Sequence, residues 1–428
     1  MLKKLLVISV DALMYGDLKK LSVLPTFRRI MEGSSIVKQM TTIYPSLTLP
    51  AHVAIATGCY PITNGVNHNE ATLLPGKDQP WNWYVDIVKV PFFWDEAKKA
   101  GYTTASIGWP VNGHAKADYV MPDIWTLDVE EDPTELFTEA GAANIIDTVF
   151  NKNKHLMDWN YHPKYDQFVA ACAADVVRQY GPDIMFMHVS PVDDFRHKYG
   201  TYSEKVDEAF VEVDREIAEV IAAYEECGYL DMLDIAVLGD HGHLQVEKQF
   251  CPNVLLAQEG LIRVEPDGKI HDWDVFCRSC GLSSTVYLKD SSDQQLYERV
   301  YSLLKGFVEI PEYGVSEVLT REEGEKRWHV SGEYAFILET DGHTAFGVEA
   351  AGDVVIQPDN SDYKFAPSSH GYMPDKGDKP PFIVKGPSFK REVVLESAQT
   401  IDIAPTLAKA YDFCMSRADG KSLDALLK

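Results

Sequence analysis

Five short stretches of the chain carry residue types that bind cations or attack phosphorus. "SPVDDFRHKYG" sets Asp193 and His197 four positions apart, so if the segment turns helically both can face one ion, the alternative being charged loop residues at a common spacing. "LGDHGH" puts Asp240 and His241 at the exit of an apolar run, and "SSHGYMPD" holds His370 beside Gly371, where the missing Cβ lets the backbone bend closely around a site. Asp11 ends the first apolar run, and a carboxylate buried there needs a compensating charge. Three Asp and three His are the donor chemistry of two divalent ions, zinc above all. The fifth stretch, "TTIYPSLTLPAHVAIATG", places Thr48 directly before Leu49-Pro50 at the start of a helical pattern. Proline is tolerated in a first helical turn because its missing N–H would be unpaired there, so Thr48 reads as an N-cap. Its hydroxyl then has two open roles: it only caps the backbone, or it is a nucleophile where free N–H groups hold an anion.

Positioning such residues requires strands that deliver them to one edge. "KLLVISVDA", "TTASIGWPV", "DIMFMHVS", "LDIAVLGDHG" and "PFIVKGPSF" are short, apolar and bounded by polar or turn residues, as strands buried on both faces are. Between them, Val206, Phe210, Val213, Ile217, Val220 or Ile221, and Tyr224 recur every three or four residues and end near Gly228, which predicts a helix. "TIDIAPTLAKAY" predicts a last one. The alternation predicts an α/β fold, a mainly parallel sheet sandwiched by helices, with ligands beyond the carboxyl ends of its strands. Asp11, Asp193 and Asp240 all follow apolar runs at that end. The stretch from 251 to 343 differs in character: "STVYLKD" and "EYAFILETDG" flank a helical "SSDQQLYERVYSLLKG" and a charged "TREEGEKRWH". It reads as an inserted α+β cap, with 1–250 and 344–428 forming the metal-binding core.

With 428 residues and a net charge of −25, the chain is expected to avoid nucleic acid polymers and anionic membranes, which reward clustered Lys and Arg. No apolar run approaches the roughly 20 residues of a membrane span. "MLKKLLVISVD" stops at Asp11 without a small-residue cleavage site, so it reads as a buried strand and not as a secretory signal. Seven scattered cysteines fit reduced thiols better than a disulfide framework. A cytoplasmic protein is the expectation. Cys277 and Cys280 form one CxxC, but no second pair accompanies them, and they are left out of the predicted site.

Taken together, "VISVDA", "YPSLTLPAH", "ATGCYPITNGVNHN", "DDFRHKYG", "LGDHGH" and "SSHGY" stand in the order expected of the alkaline phosphatase superfamily. From residue 7 to 372 the chain resembles the nucleotide pyrophosphatase/phosphodiesterase branch, and "IDIAPTL" is similar to that family's closing helix. The resemblance implies a site of two Zn²⁺ ions, with Mn²⁺ as the alternative. Asp11, Asp240, His241 and the Thr48 oxygen would hold one ion; Asp193, His197 and His370 would hold the other. It also implies that Thr48 is the nucleophile, that Asn69 contacts a phosphoryl oxygen, and that catalysis passes through a phosphothreonine.

The implied substrate is a small phosphate- or phosphonate-containing molecule, with nucleotides among the candidates. Two divalent ions offset by three carboxylates and an alkoxide leave a nearly neutral site, which suits a monoanionic diester or phosphonate better than a dianionic monoester. Phosphonate carbon–phosphorus hydrolysis is the alternative reaction, and a metal-stabilised binding protein without turnover is the alternative class. Arg196 and Lys198 are expected to reach solvent; aimed inward instead, they would favour a dianion. Leu49 and Ala51 stand where the family has Phe and Asn, which would alter a nucleotide-binding surface. The aromatics of "WNWYVDIVKVPFFW" and "SIGWPVNGH" are expected to fill the core, the alternative being a stacking platform for a base.

Overall fold

A computed structural model describes residues 3–71, 80–125, 131–158, 163–360, 362, 364 and 366–428. Its centre is an eight-stranded sheet. From edge to edge the strands are Val394–Gln399, Ser35–Thr41, Phe382–Lys385, Leu233–Leu238, Lys4–Val10, Ile184–Val189, Thr104–Ile107 and Tyr119–Met121. Phe382–Lys385 runs antiparallel to both neighbours, and all other pairings are parallel.

The first strand shows how sequence builds the layers. Side chains alternate across a strand, so Leu6, Ile8 and Val10 enter one core while Leu5 and Val7 enter the other. The first core is covered by the helices Lys164–Tyr180 and Glu204–Glu226; the second by Thr48–Thr57, Phe93–Lys99 and Ile403–Ala410. Helix Glu204–Glu226 bears the expected apolar stripe, is capped by the Ser203 hydroxyl, and gives way to Gly228 at φ 73°. The expected α/β sandwich is thereby present, with central strands hydrogen-bonded on both sides and buried on both faces.

Much of 251–343 forms a separate antiparallel sheet in the order Val275–Ser279, Ser283–Leu288, Phe336–Thr340, Val315–Thr320, backed by helix Gln294–Val308. Its apolar cluster also takes in Phe250, Phe346 and Ala350, so the packing unit extends a few residues past both ends of that range. It meets the main fold through Tyr44, Tyr287, Leu319, Val330, Tyr334, Ile337 and Met373.

Glu339 is fully buried in that contact. Tyr44 donates to its Oε2 at 2.8 Å, while the Met373 N–H and Lys376 Nζ donate to Oε1 at 3.0 and 2.6 Å. Burial pushes its pKa up to about 7 despite the Lys376 ammonium. A group raised in this way contributes stability that is complete below the unfolded value near 4.5 and is lost as pH rises through about 7. Glu339→Gln, which stays neutral, is therefore expected to gain roughly 2 °C in Tm relative to wild type between pH 5.5 and pH 8. Thermal melts at the two pH values check this; an unchanged difference would show that the carboxyl keeps one protonation state.

Candidate metal centre

Asp11 and Asp240 leave adjacent parallel strands, Lys4–Val10 and Leu233–Leu238, at the same edge. The Ala12 N–H donates to Asp240 Oδ1 at 3.0 Å, which turns the other oxygen, Oδ2, toward His241 Nε2 at 3.2 Å. His241 Nε2 also lies 3.4 Å from Asp11 Oδ1 and 3.1 Å from Thr48 Oγ1. Four donor atoms from three segments thus surround one point.

Tetrahedral zinc ligands at about 2.0–2.1 Å stand about 3.3 Å from one another, which is the spacing found from His241 Nε2 to each of the three oxygens. Asp11 Oδ1 and Asp240 Oδ2 are buried and accept no hydrogen bond from the described residues. Burial and neighbouring carboxylates hold both acids well above the usual carboxylate range: Asp193 acts on Asp11, and Asp11 on Asp240. A cation removes that conflict, so the residues fit the ion.

The second group lies beside the first. Helix Pro191–Tyr199 presents Asp193 and His197 on one face, Oδ2 to Nε2 at 3.4 Å, as their spacing implied. His370 joins them in one set of donor atoms, together with His243. The His370 ring stacks on His241 with centroids 4.0 Å apart, which sets the groups side by side. Its Nδ1 faces the Ser46 carbonyl at 2.9 Å, and His197 Nδ1 faces the Ser368 carbonyl at 2.8 Å. Such bonds place a proton on Nδ1 and leave Nε2 as the atom that could hold an ion. Burial holds His370 at about 4 and His241 well below the ordinary imidazole value, so both are neutral and ready to ligate. His197 is raised, because the Asp193 carboxylate overrides the effect of burial. Gly371, at φ 94°, is required where it stands: a Cβ there would lie 1.7 Å from the Cys280 carbonyl oxygen.

Thr48 is the first helical residue of Thr48–Thr57 and not its cap. Leu47 occupies the N-cap with extended dihedrals, and no side chain caps the helix. The hydroxyl faces His241 instead. His52, one turn later, secures this arrangement: its Nδ1 lies 2.8 Å from the Thr48 carbonyl and its Nε2 2.8 Å from Ser9 Oγ. Asn69 accepts the Leu49 N–H at 3.0 Å through Oδ1 and lines the same cavity as Thr48, Asp193, His370, Lys198 and Trp81.

Several expectations change. Arg196 reaches neither solvent nor the cavity: it is fully buried, with one guanidinium nitrogen 2.6 Å from Asp17 Oδ2 and another donating to the Thr201 carbonyl. Burying a guanidinium is tolerated only with such partners. Lys198 lies at the cavity rim and is paired with Asp194 at 2.8 Å. Leu49 and Ala51 are buried in apolar clusters and do not face the cavity. Phe92, Phe93, Trp94 and Trp109 fill the core, whereas Trp81 lies at the rim with its ring against Trp125. The seven cysteines are free, and Cys277 and Cys280 join no ligand cluster among the described residues. Three supporting histidines escaped the sequence reading: His52, His243, and His188, whose Nε2 lies 3.1 Å from Asp11 Oδ2. The signal for His188 was its place inside the apolar run "MFMHVS", where a polar side chain needs a partner.

An α/β sheet that delivers paired ligand clusters to the first turn of a hydroxyl-bearing helix defines an alkaline phosphatase-like fold. The family described as type I phosphodiesterase / nucleotide pyrophosphatase matches residues 5–377, and the chain belongs to it. Human ectonucleotide pyrophosphatase/phosphodiesterase family member 5 is 20% identical over 416 residues, covering 95% of this chain and 73% of that protein. Human family member 1 is 23% identical over 229 residues, 51% of this chain; the match spans only 21% of that longer protein. The solved structure of the murine member 5 covers 100% of both chains at a TM-score of 0.67 and 16% identity. An inactive form of it, in complex with AMP, aligns at a TM-score of 0.66. No helix among the described residues is long and apolar enough to cross a membrane.

Proposed function

We propose that this chain is a hydrolase of phosphodiester or pyrophosphate bonds that uses two divalent ions, zinc by donor chemistry, and Thr48 as its nucleophile. The observation that carries the reading is the convergence of Thr48 Oγ1 with Asp11, Asp240 and His241, beside Asp193, His197 and His370. The bound ions would supply Lewis acidity, favouring the alkoxide and offsetting charge on the departing oxygen. Asn69, anchored through its oxygen by the Leu49 N–H, would turn its amide N–H toward a phosphoryl oxygen, and the positive end of the Thr48–Thr57 helix dipole favours an anion there. Thr48 Oγ, its hydroxyl proton released to solvent, would bond to phosphorus as the bond to the leaving alcohol or phosphate breaks in line, and the leaving oxygen would take a proton from solvent. Water would then attack phosphorus in that threonine ester, its OH leaving with the product phosphate monoester and its other hydrogen returning to Thr48.

A diester or pyrophosphate is favoured over a monoester because the two candidate cations are already engaged, Arg196 with Asp17 and Lys198 with Asp194. A nucleotide is favoured as the substrate class by the relative bound to AMP and by Trp81 at the rim. The 251–343 segment is proposed as the cap over this edge of the core. The free thiols support a cytoplasmic setting, which cell fractionation would test.

Purified protein with zinc is expected to hydrolyse p-nitrophenyl thymidine monophosphate and bis-p-nitrophenyl phosphate at least about 100-fold more efficiently, in kcat/KM, than p-nitrophenyl phosphate, roughly 3 kcal/mol of discrimination. Preference for phosphonoacetate would instead make it a phosphonate hydrolase. Metal binding without turnover of any of these would make it a binding protein.

A further inference from the structure

His243 stands two residues beyond His241 and is 1% exposed. Its Nε2 lies 2.7 Å from Asp193 Oδ1, and its Nδ1 lies 2.9 Å from Ser368 Oγ. Two ligands of one tetrahedral zinc ion stand about 3.3 Å apart, whereas 2.7 Å is a hydrogen bond to a carboxylate. The two Asp193 oxygens are therefore distinguished: Oδ1 faces His243, and Oδ2 faces His197 Nε2 at the ligand-to-ligand distance of 3.4 Å.

The surroundings of Ser368 complete the arrangement. A carboxylate opposite Nε2 requires a proton there, which leaves Nδ1 of the neutral ring as an acceptor for the Ser368 hydroxyl. Thr201 Oγ1, 2.7 Å from Ser368 Oγ, donates in turn. The carbonyl of the same Ser368 faces His197 Nδ1 at 2.8 Å. One residue of the short strand Ser368–Ser369 thus fixes the tautomers of two histidines, and the strand leads directly into His370.

We propose that His243 is a positioning residue of the second ion site, and not a fourth ligand: with Ser368 it holds Asp193 Oδ1 so that Oδ2 alone faces the ion. This rests on the reading of Asp193, His197 and His370 as ligands, and the experiment separates the two claims. Metal-stripped full-length protein is titrated with Co²⁺, with visible absorption reporting each ion's ligand field and calorimetry its affinity.

Wild type is expected to bind two ions. His243→Ala is expected to weaken one of them about 10- to 100-fold, the range typical of lost outer partners of a ligand, and to leave the other unchanged. His243→Gln keeps an N–H at the position of Nε2 and is expected to recover most of that affinity with a wild-type spectrum. Ser368→Ala is expected to weaken the same ion a few-fold, with no added effect in the His243→Ala background. X-ray absorption at the weakened site should count two histidines in wild type and in His243→Ala alike. Equal affinity in wild type and His243→Ala, or a count falling from three histidines to two, would overturn the positioning role alone. Wild type that binds no second ion would overturn the site itself. The Gln and Ser368→Ala variants preserve volume, so they carry the test if His243→Ala fails to fold.

Discussion

Thr48→Ala is expected to lower turnover of a diester substrate by about 10⁴-fold or more, roughly 5 kcal/mol or more in barrier, while the protein keeps its fold and at least one bound ion. The expectation follows from where the hydroxyl points. Thr48 has no capping role to lose, because Leu47 is the cap and the Thr48 side chain faces His241 at 3.1 Å. Removing it costs the helix little and, on the proposed mechanism, the reaction its attacking atom. Thr48→Ser restores that atom and is expected within about 10-fold of wild type, since the backbone here is already secured by His52 at the Thr48 carbonyl. Single-turnover labelling with ³²P-substrate should trap phosphate on wild type and on the Ser variant but not on the Ala variant. Turnover of Thr48→Ala within 10-fold of wild type would reassign the nucleophile to water and leave Thr48 as a ligand only.

Which parts of this site could be read from the chain depends on how local their causes are. Asp11, Asp193 and Asp240 were visible because each interrupts or follows an apolar run, and a carboxylate there demands a partner wherever the chain goes next. The Asp193 and His197 pairing was visible because a helix repeats nearly every four residues. His243 was invisible for the opposite reason: its partner Asp193 is 50 residues away, and nothing local separates a positioning histidine from a ligand. Arg196 was misread because long basic side chains usually reach water; only the folded chain shows Asp17 waiting 179 residues earlier.

The fold divides in the same way. The central strands announce themselves by continuous apolarity, but that pattern carries no direction, so nothing local marked Phe382–Lys385 as the antiparallel one. The edge strand Val394–Gln399 is half exposed and polar in composition, which hides it from any search for buried runs. Helix Lys164–Tyr180 is harder to read because the middle of its buried face is alanine-rich, with Ala170, Ala171, Ala173 and Ala174, and alanines contribute little apolar contrast.

Removing the ions is expected to reduce turnover at least about 10³-fold, close to the loss from removing Thr48, because in the proposed mechanism the hydroxyl and the ions act as one unit. Added Zn²⁺ should restore activity with two ions per chain, and Asp240→Asn or Asp193→Asn should each leave one tight ion. The stability cost should depend on pH with a definite sign. Burial raises the Asp11 and Asp240 carboxyls, so in the stripped protein their contribution to stability is present at low pH and lost as pH rises through their elevated values. At low pH zinc must also displace the protons these acids retain. Both effects make the zinc-induced rise in Tm larger at pH 8 than at pH 5.5, and melts of stripped and reloaded protein at the two values measure it. An equal rise at both would mean that Asp11 and Asp240 are already ionised without the metal, and that some group other than a cation compensates for their charge.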